Sequence, residues 1–350
     1  MQVSPEHLTA TSPQVIAALH RAMRAGANVR GTTSPNPPVG AVILSADGEV
    51  VAVGATQPTG GAHAEIKALE AAGEAARGGS AVVTLEPCNH TGRTGPCVEG
   101  LISAGIGAVF YLHDDPNPEA AGGAAYLRDK GVRVEKLSLD GPAGVGAPLD
   151  VLIPWLVAVS SQRPHVTVKF AQTLDGFTAA PDGSSQWITG EIARNYAHED
   201  RAHRDAILIG TGTALADNPS LTARYPDGSL REHQPRRVVI GSRDLQATGE
   251  ASRNLRDLGY DQYETIEEAL AQLYEEGARD VLVEGGAGLA SSFFKLGYVD
   301  AIQAYISPTL FGEGRGVLAH PLAENINDAP RFRRLRSIEL GEDMLIEYTV

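Results

Sequence analysis

The chain has 350 residues, 43% of them hydrophobic and 21% charged, enough apolar material for two domains of ordinary size. A formal net charge of −14 argues against nucleic acid as a partner, because a phosphate backbone needs clustered Lys and Arg. It leaves room for one phosphorylated small molecule held by two or three local arginines. No run of about 18 apolar residues is present, so no membrane span is expected. Met1 to Glu6 lacks the basic-then-apolar pattern of a signal peptide, which sets a cytoplasmic expectation.

In chain order, Val15, Ile16, Leu19 and Met23 mark a first helix. Residues 39–44 and 50–53 read as strands joined by the hairpin signal Ser45-Ala46-Asp47-Gly48. A helical face follows at Ile66, Leu69 and Ala72, then a strand at 81–85 and a helix from Cys97 through Ile102. Strands at 108–112 and 132–137 flank a helix at 126–130. This alternation predicts an α/β layered domain over 1–150. A Gly/Pro-rich passage at 141–148 and the apolar stretch after it place the boundary between about 145 and 163, with 151–162 read as linker. A second α/β domain is expected over 163–350. Its strands are predicted at 166–171, 206–209, 237–240, 280–283 and 301–306, and its helices near 191–204, 266–276 and 289–296.

The chemistry concentrates in two short motifs, His63-Ala64-Glu65 and Pro87-Cys88, with Cys97 beyond. Cys88 and Cys97 are the only cysteines in the chain, and both fall in one loop. One imidazole and two thiolates suit Zn²⁺, and three protein ligands leave a fourth position open for water, the catalytic arrangement. Two thiolates cancel the metal's charge and weaken its acidifying power. A local base is therefore needed, and Glu65 is placed to move a proton to a ring nitrogen and then to leaving ammonia. Cys97 follows Pro96 at an expected helix start, which favours its thiolate. Eight residues separate the cysteines, against two in the His-x-Glu, Pro-Cys-x-x-Cys pattern of nucleobase deaminases. A structural zinc knot is the alternative.

Thr33-Ser34-Pro35-Asn36-Pro37-Pro38-Val39-Gly40, Thr84-Leu85-Glu86-Pro87-Cys88-Asn89-His90, Gly92-Arg93-Thr94-Gly95-Pro96-Cys97 and Asp115-Pro116-Asn117-Pro118 together resemble the bifunctional deaminase–reductase family of riboflavin biosynthesis. The longer cysteine spacing is that family's pattern. The resemblance continues through Lys169-Phe170-Ala171-Gln172-Thr173-Leu174-Asp175-Gly176, Ser185-Gln186-Trp187-Ile188-Thr189 and the stretch 212–222, and so covers nearly the whole chain.

It implies a cytidine-deaminase-like α/β/α domain followed by a dihydrofolate-reductase-like α/β domain. The first would deaminate 2,5-diamino-6-(5-phosphoribosylamino)pyrimidin-4-one with Zn²⁺. The second would reduce the ribosyl chain with NADPH to give 5-amino-6-(5-phosphoribitylamino)uracil. A single-activity deaminase with a non-reducing second domain is the alternative, and a homo-oligomer is expected.

The resemblance also implies site residues. Asn36 and His90 would meet substrate in the deaminase, although Asn36 between prolines also suits a turn. Arg93 shares the rim between the cysteines. A fourth ligand would close the zinc site, so His90 reads as a substrate or loop-ordering group. In the reductase, Ser185, Arg201, Leu221, Arg224 and Glu284 would bind substrate. Arg201 has Glu199, Asp200 and Arg204 around it, so a solvated helix face is its alternative. Ala171, Trp187, Thr213, Asp217, Ser242, Gly286, Ala287, Gly288, Leu289, Ala290, Ser291 and Ser292 would contact NADPH. Arg243, beside Ser242, would suit a 2′-phosphate. Glu284-Gly285-Gly286-Ala287-Gly288 follows a strand and opens a helix, so its glycines allow close approach of phosphate to a helix N-terminus. The sequence is not the Gly-x-Gly-x-x-Gly fingerprint, and a simple turn is the other reading. Lys169 and Asp175 are candidate acids or shapers of the strand–loop junction, and the polar stretch 246–262 matches nothing.

Overall fold

Apolar runs become strands where both faces find a cover. In β1 (Gly40–Leu44) every residue is buried, because Val42 and Leu44 pack with one hydrophobic cluster while Ala41 and Ile43 pack with another. The first cluster includes Val15, Leu19 and Met23 of α1 (Pro13–Ala27). The second includes Ala64 and Ala68 of α2 (Ala64–Ala72) and Val98 and Leu101 of α3 (Cys97–Ser103). The computed structural model describes residues 8–90, 95–139, 150–247 and 249–350, and the chain divides into two units, Met1–Ser161 and Gln162–Val350.

The first unit carries a five-stranded sheet ordered β2-β1-β3-β4-β5, with β2 (Val50–Ala55), β3 (Ser80–Leu85), β4 (Ala108–His113) and β5 (Arg133–Lys136). β1 runs antiparallel to β2 and β3, whereas β3, β4 and β5 are parallel. Parallel neighbours need crossovers; α3 and α4 (Gly123–Asp129) supply them. The hairpin turns where predicted, on Gly48 at φ +81°. α1 lies hard against β1: a Cβ on Gly40 would stand 1.8 Å from the Ala22 carbonyl oxygen. The Gly/Pro-rich passage 141–148 lies outside the described residues.

The stretch read as a linker, 151–162, is mostly helix α5 (Ile153–Ser161). Leu152 and Trp155 join the core of the first unit, and Trp155 Nε1 donates to the Pro35 carbonyl at 3.0 Å. Leu152, Trp155 and Ala158 recur every third residue and share one buried face, which the preceding glycines and prolines obscured in the sequence.

The second unit has an eight-stranded sheet ordered β10-β9-β8-β11-β6-β12-β15-β14. Its members are β6 (His165–Thr173), β8 (Ala206–Gly210), β9 (Arg236–Ile240), β10 (Asp261–Tyr263), β11 (Asp280–Val283), β12 (Ala301–Ser307), β14 (Arg333–Leu340) and β15 (Asp343–Thr349). The first six strands in the order are parallel and the last two antiparallel. β7 (Phe177–Ala179) and β13 (Arg315–Gly316) form a small separate pair. Both faces are covered: Val168, Leu208 and Val283 pack with α9 (Ile266–Glu275) and α10 (Ala287–Lys295), and Ile207, Val239 and Leu282 pack with α7 (Thr211–Asp217) and α8 (Arg253–Leu258). α6 (Glu191–Arg201) completes the helices. Among the described residues no helix is long and apolar enough to cross a membrane.

Candidate active sites

His63, Cys88 and Cys97 come together in the first unit, with their ligand atoms all within 4.8 Å of one another. His63 is the N-cap residue of α2, Cys88 lies just beyond β3, and Cys97 is the first residue of α3. The imidazole Nδ1 is 3.2 Å from Cys97 Sγ and 3.5 Å from Cys88 Sγ. Both thiols are buried. The Cys97 backbone N–H donates to Cys88 Sγ at 3.5 Å, so the start of α3 serves Cys88 and not, as the sequence led one to expect, Cys97. A hydrogen bond from the Cys97 side chain, working against burial, pulls the Cys88 thiol down to about 4. The Cys97 thiol is pushed up by Cys88 and by burial. Two sulfurs and an imidazole thus crowd a buried space with only protons to separate them, and a divalent cation fits that donor set.

Glu65 is 4% exposed in the first turn of α2. Burial first, then the Cys88 sulfur, push its carboxyl up to about 7, so it can both accept and return a proton at neutral pH. Nδ1 of His90 is buried and has no hydrogen-bond partner among the described residues. Asn36 holds a turn through its backbone, with its N–H on the Thr33 carbonyl at 2.9 Å, and no described residue takes its carboxamide. The backbone thus shows the turn reading of Asn36, and its carboxamide carries no bond to a described residue. Arg93 lies outside the described residues.

Sequence reasoning did not single out two supports of this site. Glu86 is buried, and its carboxylate accepts from the backbone N–H of Ala124 at 2.8 Å and of Asp115 at 3.4 Å, tying the loop after β4 to the start of α4. Gly123 lies so close to the Cys88 loop that a Cβ there would stand 1.8 Å from the Pro87 carbonyl oxygen. Neither contact has a local sequence signal, because the partners are 38 and 36 positions apart.

In the second unit, Glu284 follows β11, and its side chain is 8% exposed. It accepts from Arg201 Nε at 2.6 Å and Nη2 at 2.8 Å, a bidentate pair, and Lys169 Nζ stands 3.6 Å away. Burial alone would raise the Glu284 carboxyl; the Arg201 and Lys169 charges outweigh it and hold the group down at about 2. Arg201 is thus no solvated helix residue. It turns inward, and its Nη1 also donates to the Thr222 carbonyl at 3.1 Å. A cavity of about 140 Å³ is lined by Lys169, Ala171, Thr178, Glu284, Gly286 and Ala287 among others. Thr178 sits on short β7, where no motif marked it.

The expected cofactor residues divide. Thr213 Oγ1 accepts the Gly286 N–H at 3.0 Å, linking α7 to the glycine loop. Gly286 caps α10, Gly286 and Gly288 are exposed, and Ala287 is half-buried. Ala290 and Ser291 are buried, and Leu289 packs against the core. Ser291 Oγ accepts the backbone N–H groups of Ala319 and His320 at 2.9 and 3.3 Å, so it anchors a loop; Ser292 Oγ donates to the Gly288 carbonyl. Asp217 and Ser242 are exposed, and Trp187 is 70% exposed with the Arg194 guanidinium 4.7 Å over its ring. Ser185 is exposed, and Arg224 Nε donates to Thr222 Oγ1 at 2.7 Å. Leu221 is 4% exposed within a core cluster at φ +49°, so only its backbone is free to meet a ligand. Asp175 accepts from Thr173 Oγ1 at 2.5 Å and from the Phe311 and Gly312 N–H groups, which makes it a clamp at the strand–loop junction.

A His, Cys, Cys donor set beside a buried carboxylate in one unit, and a glycine-opened helix start beside a buried ion pair in the other, fit a zinc hydrolase joined to a dinucleotide reductase. Residues 14–113 match the cytidine and deoxycytidylate deaminase zinc-binding region, and residues 164–346 match the RibD C-terminal domain. Riboflavin biosynthesis protein RibD of Corynebacterium ammoniagenes is 63% identical over 94% of this chain and 96% of that protein. The RibD of Mycobacterium tuberculosis is 44% identical over 91% and 92%. A Thermotoga maritima structure, described as a diaminohydroxyphosphoribosylaminopyrimidine deaminase/5-amino-6-(5-phosphoribosylamino)uracil reductase, superposes with TM-score 0.83 at 32% identity, covering 96% of this chain and 98% of that one. The chain belongs to the RibD family of bifunctional riboflavin biosynthesis enzymes. It is a Zn²⁺-dependent deaminase and an NADPH-dependent reductase, and the single-activity alternative is not favoured.

Proposed function

We propose that the first unit deaminates 2,5-diamino-6-(5-phosphoribosylamino)pyrimidin-4-one and that the second reduces the ribosyl chain of the product to give 5-amino-6-(5-phosphoribitylamino)uracil. The substrate named for the Thermotoga maritima relative supports this, as does the pairing of one deaminase site with one reductase site in this chain. His63, Cys88 and Cys97 hold the metal, which when bound activates water as a Lewis acid at neutral pH. Glu65 carries the proton from water to the ring nitrogen and then to departing ammonia. The carboxamide of Asn36 and the ring of His90 meet the substrate. The observation that carries the deaminase reading is geometric: His63, Cys88 and Cys97 bring their ligand atoms within 4.8 Å of one another, and the buried Glu65 carboxyl lies two residues from His63.

In the second unit Arg201, Arg224, Ser185 and the Leu221 backbone receive the phosphorylated substrate, with Glu284 fixing Arg201 and Lys169 at the cavity wall. Ala171, Trp187, Thr213, Asp217, Ser242 and the α10 start from Gly286 to Gly288 form the cofactor path; NADPH supplies the hydride when bound. A cytoplasmic homo-oligomer completes the reading, and the two cysteines, unpaired by a disulfide, are consistent with a reducing compartment. Incubation with the diaminopyrimidine phosphate tests the scheme. Ammonia release without NADPH is expected, and NADPH oxidation only after deamination. NADPH oxidation that precedes ammonia release would overturn the order.

A further inference from the structure

Residues 35–38 read Pro-Asn-Pro-Pro, so Asn36 alone brings a backbone N–H to this segment. Such a stretch cannot hold its shape with its own donors, and its carbonyls need partners from elsewhere. They are met one by one. The Thr33 carbonyl accepts the Asn36 N–H at 2.9 Å, and the Asn36 carbonyl accepts from Thr33 Oγ1 at 3.1 Å. The Ser34 carbonyl accepts from Thr59 Oγ1 at 3.0 Å, and the Pro37 carbonyl accepts the Val39 N–H at 2.9 Å. The Pro35 carbonyl takes Trp155 Nε1 at 3.0 Å, a donor 120 positions away. That donor is itself fixed. Trp155 is buried in the core of the first unit, and the start of α5 is pinned: Asp150 Oδ1 accepts the Leu152 N–H at 3.1 Å, while Oδ2 stands 2.5 Å from Nε2 of His113, the last residue of β4.

We propose that Trp155 is a positioning residue of the deaminase: by holding the Pro35 carbonyl it fixes the turn from which Asn36 presents its carboxamide to the substrate. The inference rests on the reading of Asn36 as a substrate residue and adds the group that aims it. The Pro35 carbonyl and the Asn36 N–H belong to one planar peptide unit. Trp155 holds one edge of that plane and the Thr33 carbonyl holds the other, so the plane cannot turn without breaking both bonds. Tryptophan suits the task, because its large ring anchors in the core while its N–H, a donor only, reaches the turn. Phenylalanine would fill the core and leave the Pro35 carbonyl without its donor. That carbonyl could then regain a partner only by rotating toward water, which would carry the Asn36 N–H off Thr33 and move the carboxamide with it. The helix expected as a linker is thereby a working part of the first unit, since Trp155 lies on α5.

Ammonia release from the diaminopyrimidine phosphate, measured on the full chain in W155F, N36A and the double variant, tests this. In W155F the KM should rise roughly three- to tenfold, the scale of one lost hydrogen bond, with kcat and bound zinc kept. W155M, a flexible filler with no donor, should match it. N36A should raise KM at least as much, and adding W155F to it should raise KM no further, because a group that acts through Asn36 then has nothing left to aim. NADPH oxidation with the deaminated substrate supplied directly should be the same in every variant. An unchanged KM in W155F, or effects of W155F and N36A that multiply in the double variant, overturns the role of Trp155. An equal loss of reduction does so too, because it marks a general loss of structure. A wild-type KM in N36A overturns instead the reading of Asn36 on which the inference rests.

Discussion

Replacing Glu284 by Gln keeps the shape of the side chain and removes the charge that two buried cations face. Holding the carboxyl at about 2, against an ordinary 4.5, corresponds to about 3 kcal/mol of stabilisation. Breaking a buried pair by removing one partner commonly costs about 3–5 kcal/mol, so two independent routes agree. For a unit of this size each kcal/mol moves a melting midpoint by about 2–4 °C. Differential scanning calorimetry of the full chain at pH 7 should therefore show one transition lowered by roughly 6–12 °C in E284Q. Because the folded-state value is depressed, the contribution of Glu284 is full above the unfolded value near 4.5 and is lost as pH falls toward 2. The gap between wild type and variant should then narrow below pH 4.5, because the unfolded wild-type chain takes up a proton at Glu284 while the folded chain holds the carboxyl ionised until about pH 2. A deficit below about 1 kcal/mol, the scale of an exposed pair, or one of equal size at pH 7 and pH 3, would refute the reasoning.

Other outcomes follow from the first unit. E65Q should retain zinc by elemental analysis while ammonia release falls by about 10²-fold or more; near-normal release would show that another group moves the proton. C97S should leave the purified chain with little zinc, and a chelator should lower the unfolding temperature of the wild type but not of that variant. G123A should destabilise the first unit by about 1–3 kcal/mol, read by denaturant unfolding, and should speed zinc loss to a competing chelator by pushing on the Pro87 carbonyl beside Cys88. Zinc retention at the wild-type rate would mean the Cys88 loop is held elsewhere.

Much of the architecture could be read because its strands are apolar on both faces: residues 206–210 and 280–283 have no polar alternation to confuse, and β8 and β11 lie where expected. The C-terminal antiparallel pair was missed for the opposite reason. β14 begins Arg333-Arg334-Leu335-Arg336 at the sheet edge, largely exposed, and β15 buries Asp343 and Glu347, so neither shows an apolar stripe. α7 is seven residues long and opens on Thr211-Gly212-Thr213, too short for periodicity to register. Within the sites, residue type and spacing singled out His63, Cys88 and Cys97, which the fold brings within 4.8 Å of one another, and Glu65, which it buries. The Arg201–Glu284 pair joins residues 83 positions apart, and its charged members each had a local surface explanation until the fold brought them together. Ser291 shows the converse: a motif position whose hydroxyl is spent on a neighbouring loop.

The order of strands also sets a timetable for synthesis. The sheet of the first unit needs nothing beyond residue 136, and α5, which seals its core, ends at Ser161. The larger sheet cannot close until residue 349 is made, because β15 lies between β12 and β14 and pairs with both. While the intervening residues are being translated, the open edge of β12 is exposed to wrong pairing. The deaminase half can thus mature on the ribosome, whereas the reductase half must wait for its final strand.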